Sequence, residues 1–128
     1  MDEYTRSRHS VVCVVDDDAA VCRALAFALD LEGFCVETFG SGEALLLRDS
    51  LTPISCLVLD ERLPGVSGLD ALAQLRARGV SAPALLMTSH PTPSVRNAAA
   101  SARAPILEKP LLGETLVDAI RTAVAAGG

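Results

Sequence analysis

No apolar run in the sequence reaches the roughly 18 residues that a membrane-spanning helix requires, and Met1–Ser10 is charged and polar with no signal-peptide core behind it. The chain is therefore expected to be cytoplasmic and to have no membrane partner. Basic residues are also few: 11 Lys and Arg face 16 Asp and Glu, a formal charge of −5. Gripping a phosphate backbone needs a basic patch, so nucleic acid is not an expected partner of this chain. Cys13, Cys22, Cys35 and Cys56 form no CxxC pair and have no histidine at metal-ligand spacing, which argues against a zinc site or a disulfide framework. Each lies in or beside an apolar segment, where a reduced thiol packs as a small hydrophobe. Linkers, repeats and low-complexity stretches are missing too. What remains is 128 residues, 50% apolar and 21% charged, the profile of one folded domain. Its expected extent is 11–125, with short tails at 1–10 and 126–128.

Short apolar runs alternate with helical patterns along this domain. Val11–Val15 (VVCVV), Ser55–Leu59 (SCLVL) and Pro83–Met87 (PALLM) are uninterrupted, the mark of strands covered on both faces. Phe34–Phe39 and Pro105–Glu108 supply two more. Helices are predicted over Ala19–Glu32, capped by Asp17 or Asp18 and closed by Gly33, then over Gly42–Asp49 behind Ser41, and over Gly68–Arg78 up to Gly79. A weakly patterned helix follows at Val95–Ala102. The last, Leu112–Ala125, turns Leu116, Ala119, Ile120 and Ala123 inward. Five such βα units predict a doubly wound parallel sheet with helices on both faces. Ligands of such sheets bind outside the carboxyl ends of the strands.

Those strand ends gather an unusual set of groups. The first strand runs into Asp16, Asp17 and Asp18, the third into Asp60, the fourth into Thr88 and Ser89, and the fifth into Lys109-Pro110. Clustered carboxylates repel and need a countercharge, and an all-oxygen donor set suits Mg²⁺ or Mn²⁺ rather than zinc. A carboxylate beside such an ion can attack a phosphoryl group to form an aspartyl-phosphate. The metal and a lysine would then neutralise the phosphoryl oxygens while a threonine hydroxyl donates to one of them. Taken singly, these residues have plainer readings: the acids as helix caps, Lys109 as a surface lysine, His90 as a loop residue.

The segments VVCVVDDD (11–18), LVLDERLPGVSGLD (57–70), LLMTS (85–89) and ILEKP (106–110) resemble, in this order, the receiver domain of two-component response regulators. The likeness is greatest to the FixJ subfamily and covers about 11–125. It implies a flavodoxin- or CheY-like fold with five strands in the order 2-1-3-4-5 and five helices. It further implies Asp60 as phospho-acceptor, Asp17 as direct metal ligand, Asp16 acting through a metal-bound water, and a backbone carbonyl from Arg62. Thr88 takes the place of the switch hydroxyl and Lys109 that of the phosphoryl-gripping ammonium. Ser89 is the small residue beside the incoming group, Pro64 and Gly68 shape the loop after the acceptor, and Pro110 follows a cis bond. The implied partners are a histidine kinase or phosphotransfer protein, and a downstream protein target or an effector domain outside this chain. Phosphorylation would switch the fourth-helix/fifth-strand surface and pair two copies of the chain there. On this likeness the chain is a signalling switch that acts only on its own phosphorylation, not a turnover enzyme.

Two features depart from that pattern. Ile106 stands where receivers usually carry an aromatic residue, and a β-branched side chain cannot swing a ring between solvent and core. Pro91 and Pro93 stiffen the loop after Thr88, Asn97–Ser101 offers little apolar face, and Leu111 replaces a usual phenylalanine. These features favour a rival in which the domain is an interaction module independent of phosphorylation. An aspartyl phosphatase is the enzymatic rival, but such enzymes need a second acid where Arg62 stands.

Overall fold

The apolar runs become the middle of a sheet. In the computed structural model, which describes residues 10–127, the strands are β1 (Val11–Val15), β2 (Val36–Phe39), β3 (Ile54–Asp60), β4 (Ala84–Thr88) and β5 (Ile106–Glu108). Between and after them run α1 (Ala19–Leu31), α2 (Gly42–Leu46), α3 (Gly68–Ala77), α4 (Pro93–Ser101) and α5 (Gly113–Gly127). All pairings are parallel and the sheet order is β2-β1-β3-β4-β5, the doubly wound topology the alternation predicts. The order reverses between β1 and β3, so the crevice for a ligand opens at their carboxyl ends.

Period-two alternation divides the core. Val11, Cys13, Val15, Leu57, Leu59 and Leu86 face α2, α3 and α4, meeting Leu45, Leu72, Leu75 and Ala99. Val12, Val14, Cys56, Val58, Leu85 and Met87 face α1 and α5, meeting Leu25, Leu29, Leu116, Val117 and Ile120. Each β1 residue is buried because both sheet faces are covered. The four cysteines are free thiols, as their spacing implies.

Caps fix the helix ends. Asp18, rather than Asp17, caps α1, accepting from the Ala20 and Val21 amides at 2.9 and 3.4 Å. Ser41 and Ser67 do the same for α2 and α3. Three helices end in one pattern, with the backbone crossing to positive φ just past the C-cap. In α1 the Gly33 amide reaches Asp30 and the Phe34 amide Leu29; in α3 Gly79 reaches Arg76 and Val80 reaches Leu75. In α4 the Arg103 amide reaches Ala100 and the Ala104 amide Ala99. Gly33 and Gly79 sit at φ 90°, where glycine is favoured, whereas Arg103 adopts φ 56°.

Several boundaries differ from the sequence reading. Phe34 belongs to the α1 closure, so β2 starts at Val36. Helix α2 ends at Leu46, short of Asp49, because Leu47 and Leu51 (81% and 98% exposed) find no core to continue on. Arg48 instead pins the following connection, bonding the Glu37 carboxylate and the Thr52 carbonyl, both at 2.8 Å. Helix α4 begins at Pro93, earlier than the predicted Val95. Thr92 is its N-cap, and Pro93 sits in the first turn, where a missing N–H costs nothing. Asp60 and Thr88 are the last residues of β3 and β4, as the strand ends read from the sequence imply, while Ser89 lies just past β4.

Candidate functional site

Three strand ends deliver the buried polar residues of the molecule. Asp16, just past β1, is 1% exposed, Asp60 6% and Thr88 2%; among the described residues the other side chains buried to this degree are apolar. Asp17 is exposed beside them. One oxygen from each of Asp16, Asp17 and Asp60 lies within 4.8 Å of the others.

Lys109 closes the cluster from the edge of the sheet, just past β5. Its Nζ lies 2.9 Å from Asp16 Oδ2 and 3.2 Å from Asp60 Oδ2. To get there the side chain must cross the end of β4, and strand spacing is about 4.8 Å. Alternation puts Ser89 on the same side as Lys109, Asp60 and Asp16, so a small residue stands where the lysine stem passes. The Lys109 amide also donates to the Thr88 carbonyl at 2.8 Å, extending the β4–β5 ladder by one residue. The Lys109–Pro110 bond is cis, as the family likeness implies.

Backbone amides steady the acids. Asp16 Oδ1 accepts from the Asp18 N–H at 2.9 Å, and Asp60 Oδ1 from the Arg62 N–H at 3.3 Å. Burial, reinforced by the charge of Asp16, nevertheless pushes the Asp60 carboxyl above its usual value, although Lys109 and the Arg62 amide act the other way. For Lys109, burial disfavours its charge, but hydrogen bonds to Asp16 and Asp60 outweigh it and hold the ammonium above its ordinary value. The cluster sets three carboxyl groups against a single ammonium. An all-oxygen donor set of this kind fits a hard divalent cation such as Mg²⁺ or Mn²⁺.

Around these groups opens a pocket of about 330 Å³, bounded also by Glu61, Arg62, Ser89 and His90. Of the residues singled out from the sequence, Asp17, Asp60, Arg62, Thr88, Ser89 and Lys109 line it, and Asp16 joins it through its contact with Lys109. Arg62 lines it while its side chain points largely to solvent, 76% exposed. One residue had escaped notice: Glu61 Oε1 accepts a hydrogen bond from Thr88 Oγ1 at 3.3 Å. The sequence signal was an acid directly after β3, but alternation does not say which way a residue at a strand's exit turns. On the other side of the hydroxyl, the His90 N–H donates to Oγ1 at 3.2 Å.

Close approach of the backbone completes the floor. A Cβ at Gly68 would collide with the carbonyl oxygen of Asp60, so only glycine lets the first turn of α3 lie against the end of β3. Glu43, on α2, binds the Val66 amide at 3.2 Å and ties down the loop between them.

Comparison with known proteins places this geometry among relatives. The family model for the response regulator receiver domain matches residues 12–121. The transcriptional regulatory protein FixJ of Azorhizobium caulinodans is 38% identical over 116 residues, 88% of this chain and 54% of its own length. The response regulator protein TodT of Pseudomonas putida is 35% identical over 122 residues, 94% of this chain and 54% of its own. The chain thus spans about half the length of the curated relatives it matches. Among solved structures, a CheY-like receiver domain protein from Methanospirillum hungatei superposes with a TM-score of 0.85 at 19% identity, covering 92% of this chain and 95% of that one, a likeness of fold. The response regulator StyR gives 0.80 at 36% identity over 93% of this chain and 61% of its own. No helix among the described residues is long and apolar enough to cross a membrane.

Proposed function

The chain belongs to the response regulator receiver family of two-component systems, and from that premise we propose that it receives a phosphoryl group on Asp60. The observation that carries this reading is the pair of contacts from Lys109 Nζ to Asp16 and Asp60, at 2.9 and 3.2 Å, beside the exposed Asp17. These contacts support the reading because they bring a buried carboxylate, an ammonium and further carboxylate oxygens together at one pocket. Asp16, Asp17, Asp60 and the Arg62 carbonyl are the groups that would hold Mg²⁺. When bound, the ion would supply positive charge to the phosphoryl oxygens. The Asp60 carboxylate attacks phosphorus, the bond from phosphorus to the donor's leaving atom breaks (the imidazole nitrogen of a phosphohistidine, the carboxylate oxygen of acetyl phosphate), and that atom departs with the electron pair. Lys109 keeps hold of one phosphoryl oxygen and Ser89 leaves space for the group. The Thr88 hydroxyl turns to donate to another oxygen, drawing its loop inward.

The partner that delivers phosphate would be a histidine kinase or a phosphotransfer protein, and the cytoplasm is the compartment that supplies both. The switching unit comprises residues 11–125, and its output surface is the one formed by α4 and β5. There the switch would bias two populations of one fold, pair two copies, and act on a downstream protein or an effector domain outside this chain. Incubation with Mg²⁺ and acetyl phosphate should add one phosphoryl mass to the protein and none to Asp60→Ala. Lys109→Met should still bind Mg²⁺ but form the adduct about a hundredfold more slowly, the loss typical of a transition-state charge contact. An adduct that survives Asp60→Ala sinks the assignment. Ile106, half-buried at the position usually aromatic, favours the second reading, an interaction module that works without phosphate; the absence of any adduct would select it.

A further inference from the structure

The Thr88 hydroxyl is already spoken for. It donates to Glu61 Oε1 at 3.3 Å and accepts from the His90 N–H at 3.2 Å. A hydroxyl has one proton to give, so a phosphoryl oxygen can receive it only after Glu61 has lost it. Glu61 is also a fourth carboxylate in a pocket that holds Asp17 and Asp60 and must admit an anion. Its side chain is 21% exposed and lies 3.9 Å from the guanidinium of Arg62, which gives the carboxylate a partner on the solvent side once it lets go.

We propose that Glu61 is a positioning residue that occupies the hydrogen-bond site of the phosphoryl group in the resting protein. It holds the Thr88 hydroxyl toward the acceptor loop and repels an approaching phosphodonor. The phosphoryl group displaces it outward toward Arg62. Glu61 thereby sets how easily the domain is charged, acting through Thr88 and through the local field and not as a metal ligand. The inference rests on Asp60 being the acceptor only for its effect on phosphorylation rate; the resting contact stands apart from that.

Glu61→Gln and Glu61→Ala separate the two effects, because glutamine retains an oxygen for the hydroxyl but not the charge. In the unphosphorylated, metal-free protein, Glu61→Ala should shift the Thr88 methyl and His90 amide resonances in NMR spectra, and Glu61→Gln should restore them most of the way. At saturating Mg²⁺, both variants should acquire phosphate from acetyl phosphate faster than wild type, by roughly threefold or more for one nearby charge removed. Alanine should be the faster of the two. Unmoved Thr88 and His90 resonances in Glu61→Ala, or rates equal to or below wild type in both variants, would overturn the proposal. If wild type takes up no phosphate at all, the acceptor reading fails by itself, and the resting spectra alone decide for or against the Glu61 contact.

Discussion

At the scale of single residues, Asp60 is a buried carboxyl that works against the fold when ionised. Burial first, and the charge of Asp16 second, hold its carboxyl above the ordinary value of 3.8. An acid that binds its proton more tightly folded than unfolded stabilises the native state in its protonated form. That contribution is complete below 3.8 and is lost as pH rises through the elevated folded value. At neutral pH an ionised Asp60 thus works against folding. Asp60→Asn is expected to melt at a higher temperature than wild type at neutral pH, with the gap closing under acid conditions. Mg²⁺ should narrow it from the other direction, because a ligand of the native state stabilises the protein that binds it better. Thermal unfolding followed by circular dichroism across pH reads this directly, and a gap independent of pH would contradict it. Asp16, Asp60 and Lys109 could be found in the sequence because each closes an apolar run. Glu61 could not, since its contact with Thr88 depends on a side-chain direction that no periodicity encodes.

Elements were legible in proportion to how strongly one physical signal dominated them. The runs of β1, β3 and β4 are apolar on both faces and admit few other structures, and their predicted centres stand. Helix α4 was harder to read. Only Ala99 of its nine residues is buried, so its start depends on Thr92 and on Pro93, a residue that reads as a breaker until it falls in a first turn. The end of α2 turned on whether Leu47 would find a core, which is a tertiary question. The closure of α4 carries its own prediction. Arg103 holds φ 56° in the place where α1 and α3 have Gly33 and Gly79. A left-handed non-glycine residue costs about 1 kcal/mol, so Arg103→Gly should stabilise the domain by about that amount. Urea denaturation measures it, and a loss of stability would show that the arginine side chain contributes more than its backbone costs.

For the molecule as a whole, the doubly covered sheet makes its thiols reporters of global opening. Cys13 and Cys56 are fully buried on neighbouring strands, and burial is the main cause that pushes them to about 11 and about 12. A thiol reagent at mildly alkaline pH should modify half-buried Cys35 first. Cys13 and Cys56 should react only as fast as the domain unfolds; mass spectrometry of the labelled sites, with and without urea, tests this, and rapid native labelling of Cys56 would refute it. The two walls of the acidic pocket are built to different tolerances. Gly68 seats α3 directly on the Asp60 peptide, and Glu43 fastens the loop before α3, so Asp60 is hung on a door jamb. Thr88 is on the leaf: exposed Ser89 and His90 come next, and then a helix with little grip on the core. A push arising at Asp60 meets the fixed wall on one side and the loosely held α4 on the other, which gives the domain a front and a back before any partner has touched it.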